Sequence, residues 1–131
     1  MSIARSCLYH ATVLHEIGHV VGFWHEQNRP DRDKYVKVLY PNIVPDETRN
    51  FHSRKESEVD SLGVTYDFNS IMQYSKSAFA VSPSMITIES REPGIPLGRA
   101  AELSDLDVLQ TKLLYSCCEL HLQLFCIFAM C

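Results

Sequence analysis

Hydrophobic positions near the front of the chain do not form a single stripe. Leu8, Ala11, Val13, Leu14, Ile17, Val20 and Val21 fall around the whole circumference of a helical projection, so the pattern predicts a helix from a Ser6 cap to about Val21, buried on most sides. Beyond it Asn28-Arg29-Pro30-Asp31 reads as a turn. Tyr35-Val36-Lys37-Val38-Leu39-Tyr40 then alternates with the period of a strand until Pro41 and Pro45 break it. No periodicity organises residues 46–69, which predict loop, and the mixed-sign Arg54-Lys55-Glu56-Ser57-Glu58 within them predicts a solvated surface segment. Pro83, Pro93, Gly94 and Pro96 make residues 82–98 an expected irregular loop. Ser104, with Asp107 three residues later, forms an N-terminal cap. Leu106, Leu109, Leu113 and Leu114 follow at helical spacing, so a last helix is expected over Asp105 to Tyr115, packed on the body of the fold.

Composition changes this picture little and excludes some classes. At 131 residues, 46% hydrophobic and 21% charged, the chain has the size and balance of one globular domain. Its net charge of −4 and pI near 5.8 provide no clustered basic surface, which excludes nucleic acid as a partner. The end of the chain from Leu120 to Cys131 is apolar, and uncharged from Leu122 on. It is shorter than the roughly 20 residues that a bilayer-crossing helix needs, so no membrane span is expected, and if exposed it would promote aggregation. No charged stretch followed by an apolar run opens the sequence, so no signal peptide is visible. Oligomeric state is not legible. The five cysteines, Cys7, Cys117, Cys118, Cys126 and Cys131, show no C-x-x-C pair and no metal-site spacing.

Candidate chemistry sits at the end of the first helix. In His15-Glu16-Ile17-Gly18-His19 the two histidines are four apart, one above the other on one helix face and roughly 6 Å apart along the axis, so both rings can reach one ion. Glu16 lies on the rim of that face, where it can serve as a base toward a water. His25 is six residues past His19, a rotation of about 600° that would carry it off the metal-facing side of a continuing helix. The helix must therefore stop, and Gly22 stands where a left-handed C′ residue would turn the chain back. Three histidines leave a coordination position open, which is the arrangement of a catalytic and not a structural zinc. His10, His52 and His121 lack such companions and read as surface or packing residues.

The stretch from His15 to Asp33, H-E-I-G-H-V-V-G-F-W-H-E-Q-N-R-P-D-R-D, resembles the signature of the astacin family of metzincin zinc endopeptidases. Glu58-Val59-Asp60-Ser61-Leu62-Gly63 and Thr65-Tyr66-Asp67-Phe68 are most similar to the tolloid-like branch. Ser70-Ile71-Met72-Gln73-Tyr74 resembles the family's Met-turn. The resemblance implies an α+β, zincin-like catalytic domain with one Zn2+ per chain held by His15, His19 and His25. It makes Glu16 the general base and Met72 the floor of the site. Tyr74 becomes an additional ligand at rest that swings away to hydrogen-bond the oxyanion of the tetrahedral intermediate. The implied reaction is hydrolysis of peptide bonds by an activated water, on protein or peptide substrates that include extracellular matrix, in a secreted protein.

Departures are as informative. Gln73 stands where the family usually has a histidine, which predicts tuning and not loss of the site. Glu26 matches a glutamate that holds the amino terminus of the activated enzyme, and the resemblance leaves it without that partner here. The specificity pocket would be built partly from residues 91–103. There Arg99 is a candidate reader of an acidic side chain, with a solvent-facing arginine as the alternative. The helix bearing His15 begins almost at the first residue, so residues 1–117 are expected to be an N-terminally truncated peptidase domain, the active-site helix and C-terminal lobe with the sheet lobe largely missing. Residues 118–131 are then an apolar tail foreign to the family. By resemblance Cys7 and Cys117 would pair with upstream cysteines that this chain lacks; a bridge between Cys7 and Cys117 or Cys118, and intermolecular pairing, both stay open. The competing functional reading is a zinc-binding but catalytically impaired fragment, and a purely structural zinc module is a third.

Overall fold

The computed structural model describes residues 9–117. The expected Ser6 cap, Cys7 and the apolar tail from Cys118, with His121, lie outside them. Helix α1 runs His10–Val20 with Tyr9 at its N-cap, whose side chain makes no capping bond. Strands β1, Val36–Val38, and β2, Ile88–Ser90, pair antiparallel with Val38 opposite Ile88. Helix α2 runs Asp105–Leu114. Short 3-10 turns at Glu26–Asn28, Arg32–Lys34, Tyr40–Asn42 and Pro45–Phe51 fill much of the rest. Helices with a small sheet agree with the α+β expectation. No helix among the described residues is long and apolar enough to cross a membrane.

Several expectations are corrected. The predicted strand from Tyr35 to Tyr40 is three residues long, because Pro41 fits the start of a 3-10 turn and the chain bends there. Residues 82–98 are not wholly irregular: Ile88-Glu89-Ser90 forms β2, where buried Ile88 packs into the core. Helix α1 is not buried on most sides. Only Gly18 is buried, while Ile17 is 44% and Val20 66% exposed, since the described residues cover one face of the helix. Helix α2 begins with the expected capping box but packs lightly: Val108, Leu109, Leu113 and Leu114 are exposed. Polar ties attach it, Tyr115 donating its hydroxyl to Val21 O at 3.1 Å and Gln110 its amide to Ser61 O at 3.3 Å.

The core is a cluster of Val36, Ile43, Phe51, Tyr66, Ile88 and Leu97, flanked by Tyr35, Phe68 and Tyr74. So little regular structure leaves many backbone carbonyls to be satisfied otherwise. Two buried arginines supply donors. Arg29 donates to Val64 O and Thr65 O at 3.0 and 3.2 Å, and Arg32 to Gln27 O and Phe51 O. Each guanidinium also meets acids: Arg29 grips Asp31 with two bonds of 2.9 Å and reaches Glu26, and Arg32 meets Asp33. Tyr66 stacks on Tyr35 with ring centres 4.9 Å apart and lies beneath Arg29. This knot carries the loops on either side of the histidine cluster.

Candidate metal centre

Helix α1 ends as its glycine demands. Gly22 has φ +106°, its N–H donates to His19 O at 3.1 Å, and the N–H of Phe23 donates to Gly18 O at 3.0 Å. This pair of bonds is a Schellman motif, which reverses the chain and returns His25 to the face that carries His15 and His19. The Nε2 atoms of His15 and His19 each lie 3.1 Å from Nε2 of His25, and the candidate ligand atoms of all three lie within 4.8 Å of one another.

The backs of two of the rings are held. His15 Nδ1 lies 2.8 Å from Ile71 O and His19 Nδ1 2.9 Å from Phe23 O, geometry that places the protons on Nδ1 and leaves lone pairs on Nε2. The Asn28 side chain lies near His25 and works weakly against the lowering of its pKa. The amide of Asn28 donates to Asn50 O and His52 O at 2.9 and 2.8 Å, so its oxygen is what faces His25. Burial, with the neighbouring His19 and His15, pushes the His25 imidazole down to about 3, which keeps it neutral. Lone pairs converging from three imidazoles repel one another unless a cation or a proton lies between them. Tetrahedral zinc–nitrogen bonds would place ligand nitrogens about 3.3 Å apart, close to the spacing found. The residues fit the ion that the sequence leads one to expect.

Below the histidines, Ser70-Ile71-Met72-Gln73-Tyr74 is stitched to both ligand-bearing segments. Ile71 O accepts from His15, and Met72 O accepts from the N–H of Glu26 at 3.1 Å. Met72 is 2% exposed, and a Cβ built on Gly18 would overlap its sulfur, which explains a glycine inside α1. Tyr74 is half-buried with its ring centre 4.4 Å from that of His25, propped by Phe51 and Phe79; burial and Glu47 hold its phenol above the usual range. Gln73 is buried, accepts from the Tyr66 hydroxyl at 2.5 Å and donates to Tyr74 O at 3.0 Å, so it points away from the histidines. Glu16 is half-buried on the turn of α1 between His15 and His19. An open cleft of about 760 Å³ adjoins His19, His25 and Tyr74 and is edged by Trp24, Arg49, His52 and Arg54; the Arg54 guanidinium lies 3.7 Å over the Trp24 ring.

Glu26 does have partners: its Oε1 accepts from Asp67 N–H at 2.8 Å and from Arg29 at 3.2 Å, yet burial dominates and pushes its carboxyl up to about 7. Arg99 is exposed and lines a separate hollow with Lys76, Glu92 and Leu97, one that none of the three histidines borders. His10 is exposed and pairs with Glu102 at 3.0 Å, and His52 is exposed at the cleft edge. Cys117 is exposed and has no disulfide partner among the described residues. Sequence reasoning missed Asn28, whose only signal was its place three residues after His25, and Gln27, fully buried with its Oε1 accepting from Tyr74 N–H.

The comparisons follow the same residues. The chain is 45% identical over 122 residues to Bone morphogenetic protein 1 homolog of Strongylocentrotus purpuratus, covering 89% of this chain and 19% of that protein. It is 43% identical over 121 residues to human Tolloid-like protein 2, covering 89% of this chain and 12% of that one. Among solved structures it resembles High choriolytic enzyme 1, a hatching enzyme zinc-protease from Oryzias latipes, with a TM-score of 0.84 and 35% identity, over 89% of this chain and 58% of that chain. The chain thus spans less than a fifth of the length of these two curated relatives. Residues 1–116 match the sequence model described as Astacin, a peptidase family, and the chain belongs to that family.

Proposed function

We propose that this chain carries the catalytic centre of a zinc-dependent metalloendopeptidase that hydrolyses peptide bonds in proteins. The observation that carries the reading is the convergence of three imidazole Nε2 atoms, with the Nδ1 sides of His15 and His19 anchored on backbone carbonyls, beside a helix that also presents Glu16. His15, His19 and His25 would hold one zinc per chain. The ion supplies Lewis acidity, which lowers the pKa of a water molecule to near 7 and polarises a carbonyl.

The remaining steps belong to the chain. Glu16 takes the proton of the attacking water and delivers it to the leaving amine, as a half-buried carboxylate next to the first histidine can. Tyr74, beside His25, would be an additional ligand at rest and then donate its hydroxyl to the developing oxyanion. Met72 fills the floor and sets the height of α1 above the turn. The cleft beside His19 and Tyr74 receives the peptide on the Trp24 side. The family supports a secreted protein with protein or peptide substrates, extracellular matrix among them.

The exposed Ile17 and Val20 on α1 favour a second reading, a zinc-binding piece that turns over poorly because none of the described residues covers that side and orients substrate. One experiment separates the two. Zinc content and peptidase activity are measured together on the full chain and on Glu16→Gln. One zinc with activity abolished by Glu16→Gln supports the enzyme; one zinc with no activity in either form supports the second reading; no zinc overturns both.

A further inference from the structure

We infer that Asp107, at the start of α2, is a positioning residue for the metal centre, fixing the ring of His15 through Ser70 and the peptide that follows Ile71. The carboxylate is 5% exposed and has more partners than a helix cap needs. Its Oδ2 accepts from Ser104 N–H at 3.0 Å, which completes the capping box, but also from Ile71 N–H at 2.9 Å. Its Oδ1 accepts from the Ser70 hydroxyl at 2.7 Å. Ser70 Oγ in turn accepts from Met72 N–H at 2.9 Å.

The peptide planes on both sides of Ile71 therefore trace back to one carboxylate, the first directly and the second through Ser70. The second plane is rigid, and it bears the Ile71 carbonyl that lies 2.8 Å from His15 Nδ1. That carbonyl sets both the tautomer and the tilt of the His15 ring, and losing a group of this kind typically costs about 10–100-fold in metal affinity. Charge-assisted acceptance by a buried carboxylate is the strong form of such a tie. Capping alone does not explain why the side chain is spent on residues 36 and 37 positions away.

The inference rests on the reading that the three histidines bind metal, and the test separates the two. The full chain is loaded with Zn2+ and its dissociation constant read by chelator competition; the same samples loaded with Co2+ are read by visible absorption. Asp107→Asn, nearly isosteric, places an amide N–H₂ against either Ser70 or Ile71. It is expected to raise the zinc dissociation constant about tenfold, the low end for outer-sphere partners, and to shift the cobalt bands. Ser104→Ala removes the bond from Asp107 N–H of 2.9 Å and the hydroxyl's own bond to Asp67, damaging the cap while sparing the carboxylate's arms to Ser70 and Ile71. It is expected to lower the Tm and leave zinc affinity and cobalt bands at wild-type values. Should Asp107→Asn fail to fold, Ser70→Ala, which leaves the helix cap intact, is expected to loosen zinc in the same direction. A folded Asp107→Asn or Ser70→Ala that holds zinc as the wild type does, or a Ser104→Ala that loosens it equally, overturns the inference. A wild-type chain that holds no zinc overturns the reading beneath it as well.

Discussion

Gly18 and Met72 offer a test in which the sign of a mutation should reverse. Gly18 lies inside α1, where replacing glycine by alanine ordinarily stabilises by about 1 kcal/mol through backbone entropy. Here the new methyl would overlap the sulfur of Met72, a side chain only 2% exposed that would have to shift to make room. Overpacking of this kind costs about 1–3 kcal/mol, so Gly18→Ala alone should be neutral to destabilising, by 0 to about 2 kcal/mol net. Met72→Ala should cost about 2–5 kcal/mol through the cavity it leaves. In that background the clash is gone, and Gly18→Ala should recover its ordinary gain of about 1 kcal/mol. The coupling in the double-mutant cycle is then about 1–3 kcal/mol, the size of the clash itself. Urea unfolding of the four zinc-loaded proteins, with m-values compared to check two-state behaviour, measures it. Gly18→Ala stabilising equally in both backgrounds would refute the contact between helix and turn, and with it the account of why α1 sits at its height over Met72.

Phe51→Ala should cost about 3–5 kcal/mol by equilibrium unfolding, because the ring is fully buried and props Tyr74 with centres 5.5 Å apart; a cost below 1 kcal/mol would mean the loop lobe lacks the core described. Asn28→Ala should weaken zinc binding about tenfold by chelator competition, since it leaves Asn50 O and His52 O without their donor at the edge of the cleft that His25 borders; unchanged affinity would sink that assignment. The Arg29 fork holds the Asp31 carboxyl below the ordinary value of 3.8. A depressed folded-state pKa contributes stability that is present above the unfolded value and is lost as pH falls through the folded one. Asp31→Asn should therefore be less stable than wild type at pH 6, with the gap closing below pH 4 in urea titrations; a gap independent of pH would contradict the pairing.

What was legible in the sequence is what local spacing controls. The two histidines four apart, the glycine that ends α1 and the third histidine follow from helix geometry within eleven residues, and the Schellman bonds from Gly22 and Phe23 realise that arithmetic. Asp107 shows where local reasoning stops. Its spacing from Ser104 marked a cap, correctly, but its bonds to Ser70 and Ile71 cross 37 and 36 residues and leave no periodic trace. The same holds for Arg29 and Arg32, which lie in the recognisable motif yet act by donating to carbonyls of residues 64, 65 and 51. Apolar periodicity misled in α1 for a related reason: it counts the sides of a helix that could be covered, whereas Val20, 66% exposed, reports what the described residues do cover. With six strand residues among those described, order is carried by side chains bonded to distant backbone, so a substitution there is felt at the histidines without touching them. Ser70 is the sharpest case: its hydroxyl takes one bond and gives one, and removing it frees the peptide on which His15 leans.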